Sequence, residues 1–174
     1  SLSVEAPEPL PLPNLDFNIE TGDSLLAPDP SAYVFDVTGA IEKADALALK
    51  KEVYLEATGD NARELRAEIK EEEGEIRKLL RKQNDEIDSV DFRVHFASVF
   101  TNNGGFDIVL ANPPYVRQEE IEKNSKAKML ALYGKGDKPP VEGKSDLYCY
   151  FFVRANQLLR TGGIQIFICS NNLQ

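Results

Sequence analysis

The chain has 174 residues and a mass of 19.4 kDa, and its 29 acids against 20 Lys and Arg give a formal net charge of −9. That length suits one ordinary domain, or part of a larger one, and suffices for a core without disulfide or metal staples. The 42% apolar content fits a soluble globular chain, and no apolar run approaches the roughly 18 residues of a membrane span. No charged-then-apolar leader precedes a cleavage site, so a cytoplasmic location is expected. Two cysteines, Cys149 and Cys169, and one histidine, His95, make neither a disulfide framework nor a metal-ligand set, so no metal is expected. Acidity argues against a nucleic-acid partner only where it is uniform. Here it is not. Residues 1–37 hold seven acids and no base, residues 38–90 fourteen acids and ten bases, and residues 91–174 eight acids and ten bases.

In chain order, residues 1–13 read as an extended arm, because Pro7, Pro9, Pro11 and Pro13 alternate. Residues 14–37 hold a short strand candidate, Phe17–Thr21, then the turn Gly22-Asp23-Ser24, with Pro28 and Pro30 barring a helix. Residues 38–90 predict two helices. The first runs over 38–57 with Ile41, Ala44, Leu47 or Ala48, and Val53 near one face, and stops at Thr58-Gly59. The second runs to about residue 87, with Asn61 and Glu64 at capping-box spacing and an apolar stripe through Leu65, Ile69, Ile76, Leu79, Leu80 and Ile87. Joined by the glycine turn, they predict an antiparallel hairpin, its run Glu71-Glu72-Glu73 lying on a solvated face.

Residues 91–174 carry α/β grammar. Phe106–Ala111 is a continuous β-rich run that fits a buried, parallel strand. Residues 123–133 are a helix candidate and 134–143 a polar loop. Asp146–Leu159 predicts an aromatic-rich helix, with Phe151 and Phe152 as core residues, and Ile164–Cys169 a second buried strand. Strand, helix, strand in that order is a parallel unit, with 106–111 and 164–169 as neighbours. His95 reads as structural.

Between strand and helix stands Asn112-Pro113-Pro114-Tyr115. Open α/β sheets bind ligands at the carboxyl ends of their strands. Two successive prolines fix the backbone and remove two N–H donors, leaving the Asn112 side-chain oxygen and the Pro113 carbonyl as acceptors. Such a pair suits a planar NH2 group. Tyr115 offers a flat face on which a base can stack. No Cys or Ser nucleophile constellation accompanies it.

These ten residues, Phe106 to Tyr115, resemble motif IV of S-adenosylmethionine-dependent N6-adenine DNA methyltransferases, with greatest similarity to the type IIG restriction–modification enzymes. Asp91–Phe100, Lys144–Tyr148 with Phe151-Phe152, Gly162–Ile168 and Asn18–Leu25 resemble further motifs of that group. The resemblance implies a partial Rossmann-like methyltransferase sheet with a long helical-hairpin insertion. It implies that Asn112, Pro113 and Pro114 form the catalytic turn, with Asn112 and Pro113 binding the target amino group and Tyr115 stacking on an extruded adenine. Asp23 would accept a hydrogen bond from the adenine amino group of S-adenosylmethionine, and Asp146 and Tyr148 would shape the cofactor end. Double-stranded DNA would be the partner, with phosphate contacts from Arg117, Lys123, Lys126 and Lys128 in the loop 117–144.

The chain departs from that pattern. No glycine-rich turn leads from a strand into a helix, and the expected acidic ribose ligand and recognition domain are not found. The sequence therefore reads as an internal piece of a larger enzyme, in which strand 17–21 lacks its neighbours and the isolated piece is inactive and binds cofactor weakly or not at all. Protein-glutamine methyltransferases share Asn-Pro-Pro-Tyr and are the alternative, with an RNA nucleobase methyltransferase as a lesser one. A non-catalytic docking or oligomerisation role for the hairpin is a third.

Overall fold

The computed structural model describes residues 13–31, 39–81 and 90–168. Residues 1–12 of the proline arm, the expected continuation of the second helix to about residue 87, and Cys169 lie outside the described residues. The elements are α1 (Ala40–Glu56), α2 (Gly59–Arg81), α3 (Phe92–His95), α4 (Ala97–Asn103), β1 (Phe106–Ala111), α5 (Lys123–Tyr133), α6 (Leu147–Leu158) and β2 (Leu159–Phe167).

α1 and α2 pack as a pair, as the spacing predicts. Ala40, Ala44, Leu47 and Ala48 make the buried stripe of α1, and Ile69 and Ile76, two turns apart, answer it from α2. Each fully buried aliphatic side chain contributes about 1.5–3 kcal/mol relative to exposure. Val53 does not join this face: it is 61% exposed, and the next residue, Tyr54, is buried instead. Asn61 does not cap α2, because the helix has already begun at Gly59, whose φ of +62° takes the left-handed conformation expected of glycine there. The acidic run is not all solvated. Glu71 is exposed, but Glu72 pairs with Lys50 at 2.5 Å and Glu73 is buried 2.6 Å from Lys51.

Residues 17–21 form no strand. Asn18 closes a turn onto the Leu15 carbonyl at 2.9 Å, and Asn14 donates through its side chain to the Tyr54 and Ala57 carbonyls, each at 2.8 Å. Phe17 packs edge-on against Tyr54, with ring centroids 5.2 Å apart. Without a partner strand, this backbone finds its hydrogen bonds in a turn and at the end of α1 instead.

β1 and β2 pair in parallel, with Ile108 opposite Ile164 and Ala111 opposite Phe167. β2 starts directly after α6 at Leu159, earlier than the expected Ile164, and an irregularity between Phe106 and Ile108 absorbs Thr161-Gly162-Gly163. Gly105 is required here: a Cβ at that position meets the Arg160 nitrogen and the Leu158 carbonyl oxygen at 2.7 Å. The result is an α/β unit with a two-stranded parallel sheet. Its strands are not covered on both faces, contrary to expectation. Phe152 packs on Phe167 on one side, whereas Leu110 is 71% exposed and Ile108, Ile164, Ile166 and Ile168 also face outward. A second core gathers Leu25, Ile121, Met129, Tyr133, Val141 and Tyr150 beneath α5 and α6.

Candidate active site

β1 delivers the Asn-Pro-Pro-Tyr turn. The Ile168 amide donates to the Ala111 carbonyl at 3.0 Å, and the ladder ends there, since the next two residues with a proline nitrogen have no N–H to give. Pro113 is buried, while Asn112 and Pro114 are exposed and Tyr115 is 56% exposed. The Val116 amide turns back to the Pro114 carbonyl at 3.1 Å. Neither the Asn112 side chain nor the Pro113 carbonyl has a hydrogen-bond partner among the described residues. Two adjacent acceptors thus stand unclaimed past the strand end, and the Tyr115 ring is beside them in sequence.

The chain beyond the turn is pinned to the start of α6. The Leu147 amide donates to the Val116 carbonyl at 3.1 Å, and the Gln118 amide donates to Asp146 Oδ1 at 2.8 Å. Asp146 therefore ties down the loop rather than capping its own helix with its side chain. α5 begins at a true side-chain cap. The Glu122 carboxylate accepts from the Asn124 and Ser125 amides at 2.9 and 2.7 Å, and those bonds hold its pKa below the usual carboxylate range.

Val116 also borders a cavity of about 440 Å³, walled by Asp23, Leu25, Ile121, Met129, Leu147 and Phe151. That volume lies within the ~300–1,000 Å³ of small-molecule sites. The wall is largely apolar, with Asp23 and Glu120 among its few carboxylates. Asp23 Oδ1 is occupied by the Leu25 and Leu26 amides at 2.8 and 2.9 Å. Its Oδ2 has no hydrogen-bond partner among the described residues and remains an acceptor. One carboxylate oxygen beside an apolar slot fits a planar heterocycle bearing an amino group, which is what a nucleoside presents.

The structure brings Asp23 and the residue after the Asn112–Tyr115 turn to one cavity. Asp146 and Tyr148 flank Leu147 without lining it. Leu147 and Phe151 line it instead. Their i, i+4 spacing was visible in the sequence, but only α5 packing opposite shows that this face borders a cavity and not solid core. Arg117 and Lys123 are exposed. Lys126 and Lys128 are half-buried, and Lys126 donates to the Gln118 carbonyl and side-chain oxygens at 3.0 and 2.7 Å. His95 is buried and bonded through its ring to Arg77 and the Asp91 carbonyl, in keeping with a structural role. Among the described residues no cluster of three His, Cys, Asp or Glu side chains can hold a metal ion, and no helix is long and apolar enough to cross a membrane.

The Asn112–Tyr115 turn offers hydrogen-bond acceptors one residue away from a cavity of small-molecule size. Comparison with known proteins gives the class. Residues 35–174 match the Eco57I restriction-modification methylase family, and the chain belongs to it. A stretch of 66 residues is 42% identical to the Type II methyltransferase M.XhoI of Xanthomonas vasicola. That stretch is 38% of this chain and 11% of the relative's length. No solved structure matches.

Proposed function

We propose that the protein to which this chain belongs is a DNA methyltransferase of a restriction–modification system, acting in the cytoplasm on the N6 amino group of an adenine turned out of double-stranded DNA. The observation that carries this reading is the pair of unclaimed acceptors, Asn112 and the Pro113 carbonyl, at the end of β1. Each would accept one hydrogen of the adenine amino group. Holding both hydrogens in acceptor bonds directs the nitrogen lone pair outward and raises its electron density, which is what attack on a methyl group requires. Pro113 and Pro114 keep the acceptors rigid, so no reorganisation is needed at the moment of reaction. Tyr115 would stack on the extruded base, offsetting part of the cost of unstacking it.

The cavity would take S-adenosylmethionine, which when bound would supply an electrophilic methyl group. Asp23 Oδ2 would receive the amino group of its adenine ring. Leu25, Ile121, Leu147 and Phe151 would enclose the ring and exclude water. Asp146 and Tyr148 would act from just outside, Asp146 by fixing the loop that follows the catalytic turn. No residue of this chain needs to become covalently attached to substrate. A displaced proton can leave from the methylated nitrogen through solvent, because Asn112 is exposed. Arg117 and Lys123 would contact DNA phosphates, with Lys126 and Lys128 in supporting positions. The sheet of the whole protein is expected to be Rossmann-like, with the hairpin as an insertion.

The test is methylation by the full-length protein of unmethylated DNA, followed by identification of the modified base. Methyl groups at adenine N6 are expected. Methylated cytosine, or methylated protein with unmodified DNA, overturns the assignment.

A further inference from the structure

Arg154 lies in α6 and is 3% exposed. A buried guanidinium is costly unless most of its donors find acceptors. No carboxylate forms an ion pair with it among the described residues. Both Nη groups donate to main-chain carbonyls of one short segment, Nη1 to Pro28 at 3.1 Å, and Nη2 to Leu25 at 3.1 Å and to Ala27, while Nε has no partner among the described residues. Its Cζ lies 5.2 Å from the centre of the Tyr133 ring, from α5. Tyr133 donates its own hydroxyl to the same Leu25 carbonyl at 2.5 Å. Burial pushes the Tyr133 phenol up to about 12, so it stays a donor at any physiological pH. One turn after Arg154, Gln157 donates to Asp29 Oδ2 at 2.9 Å.

Leu25 is therefore held from both ends. Its amide, with that of Leu26, points to Asp23 Oδ1, and its carbonyl accepts from Arg154 and Tyr133. Residues 22–29 belong to no helix or extended strand; Leu25 is buried in the second core, the Val90 amide donates to the Asp23 carbonyl at 3.2 Å, and Asp29 accepts from Gln157 and Ser31. A loop with so little regular structure holds a side chain in place only through such contacts.

We infer that Arg154, assisted by Tyr133, is a positioning residue for cofactor recognition: it clamps the 25–28 backbone so that Asp23 presents its free carboxylate oxygen to the nucleoside cavity, an inference that rests on the cofactor site proposed above. Arg154 touches neither cofactor nor DNA. Its effect is on cofactor affinity and not on the chemical step, which is carried from β1. Lysine keeps the charge but not the forked geometry, and cannot reach three carbonyls at once.

The experiment uses the full-length protein with Arg154→Lys, Tyr133→Phe and Asp23→Ala. Calorimetry with S-adenosylhomocysteine reads affinity, and steady-state methylation separates KM for cofactor from kcat. Amide exchange reads the Leu25 and Leu26 N–H groups. Arg154→Lys is expected to weaken binding about tenfold and Tyr133→Phe about threefold. KM for cofactor should rise in step while kcat at saturation and KM for DNA stay within about twofold. Exchange at Leu25 and Leu26 should quicken, and adding Arg154→Lys to Asp23→Ala should cost no further affinity, because both act through one carboxylate. If Asp23→Ala weakens binding but Arg154→Lys and Tyr133→Phe do not, the clamp is wrong and the cofactor site stands. If Asp23→Ala leaves binding unchanged, the cofactor site is wrong and the clamp falls with it. Should Arg154→Lys fail to fold, Tyr133→Phe decides alone, since it removes only a hydroxyl.

Discussion

Charge is buried in both halves of the molecule, but it is satisfied in opposite ways. In the helical half, Lys51, Glu73, Arg77 and His95 meet between α1, α2 and α3, with Glu20 3.9 Å from the His95 ring. Lys51 also donates to the His95 carbonyl at 2.9 Å. In the α/β half, the buried Arg154 is answered by neutral carbonyls and a tyrosine ring. Side-chain ions titrate; carbonyls do not. The hairpin thus buries a histidine whose charge state answers to acid, while the Arg154 clamp on the segment carrying Asp23 closes on carbonyls, which do not titrate.

The sharpest separation of the two halves comes from activity. Asn112→Ala removes one acceptor of a rigid pair and should lower methylation roughly 100- to 1,000-fold. Asn112 is exposed, so the thermal midpoint should not move. A loss of stability comparable to the loss of rate would mean that the turn is structural. In the hairpin the order reverses. Ile69→Ala, at a fully buried position, should cost about 2–5 kcal/mol in urea unfolding while leaving cofactor affinity of the folded protein unchanged.

The pH contrast follows from His95. Burial and the neighbouring Arg77 push its pKa down from 6.5 to about 4. A depressed histidine stays neutral in the folded state while the unfolded chain takes up a proton. Its contribution is complete above pH 6.5 and is lost as pH falls towards 4. At 1.36 kcal/mol per unit the loss reaches about 3 kcal/mol. Glu20, whose carboxyl is raised by burial and by Glu73, works in the opposite sense and moderates the slope. His95→Gln should flatten the dependence of the urea midpoint between pH 6.5 and 4; an unchanged slope would place the acid sensitivity elsewhere.

Smaller effects test the substrate side. Tyr115→Ala should weaken binding to DNA carrying a flipped or mismatched target by about 1–3 kcal/mol, measured by fluorescence titration. Arg117→Ala and Lys123→Ala should each reduce the slope of log affinity against log salt by about one, with little change in sequence preference. The same substitution at Lys126 should have the weaker salt effect, because its amine already serves Gln118.

Much of this was readable from residues alone. Two amphipathic stripes gave the hairpin, and the glycine between them its left-handed turn. Phe106–Ala111 gave a strand and Asn112–Tyr115 the rigid turn at its end, because two prolines dictate a local backbone whatever surrounds them. Local signals failed where partners decide. Phe17–Thr21 has strand-forming residues but no strand beside it among the described residues, and so folds into a turn on α1. Val53 and Tyr54 compete for one buried place that only the approach of residues 14–17 assigns to Tyr54.

The sequence by itself determined most of the elements, the Asn-Pro-Pro-Tyr turn and the family, since each depends on neighbours within a few residues or on a short run of letters. Tertiary structure alone decided that Leu147 and Phe151 wall a cavity, that Glu73 leaves the solvated face to meet Lys51, and that Arg154 reaches back more than a hundred residues to hold the loop of Asp23. The physical reason is the same in each case. Periodicity says which side of a helix turns inward, but what a buried charge or ring meets there is set by the other chain segment that arrives.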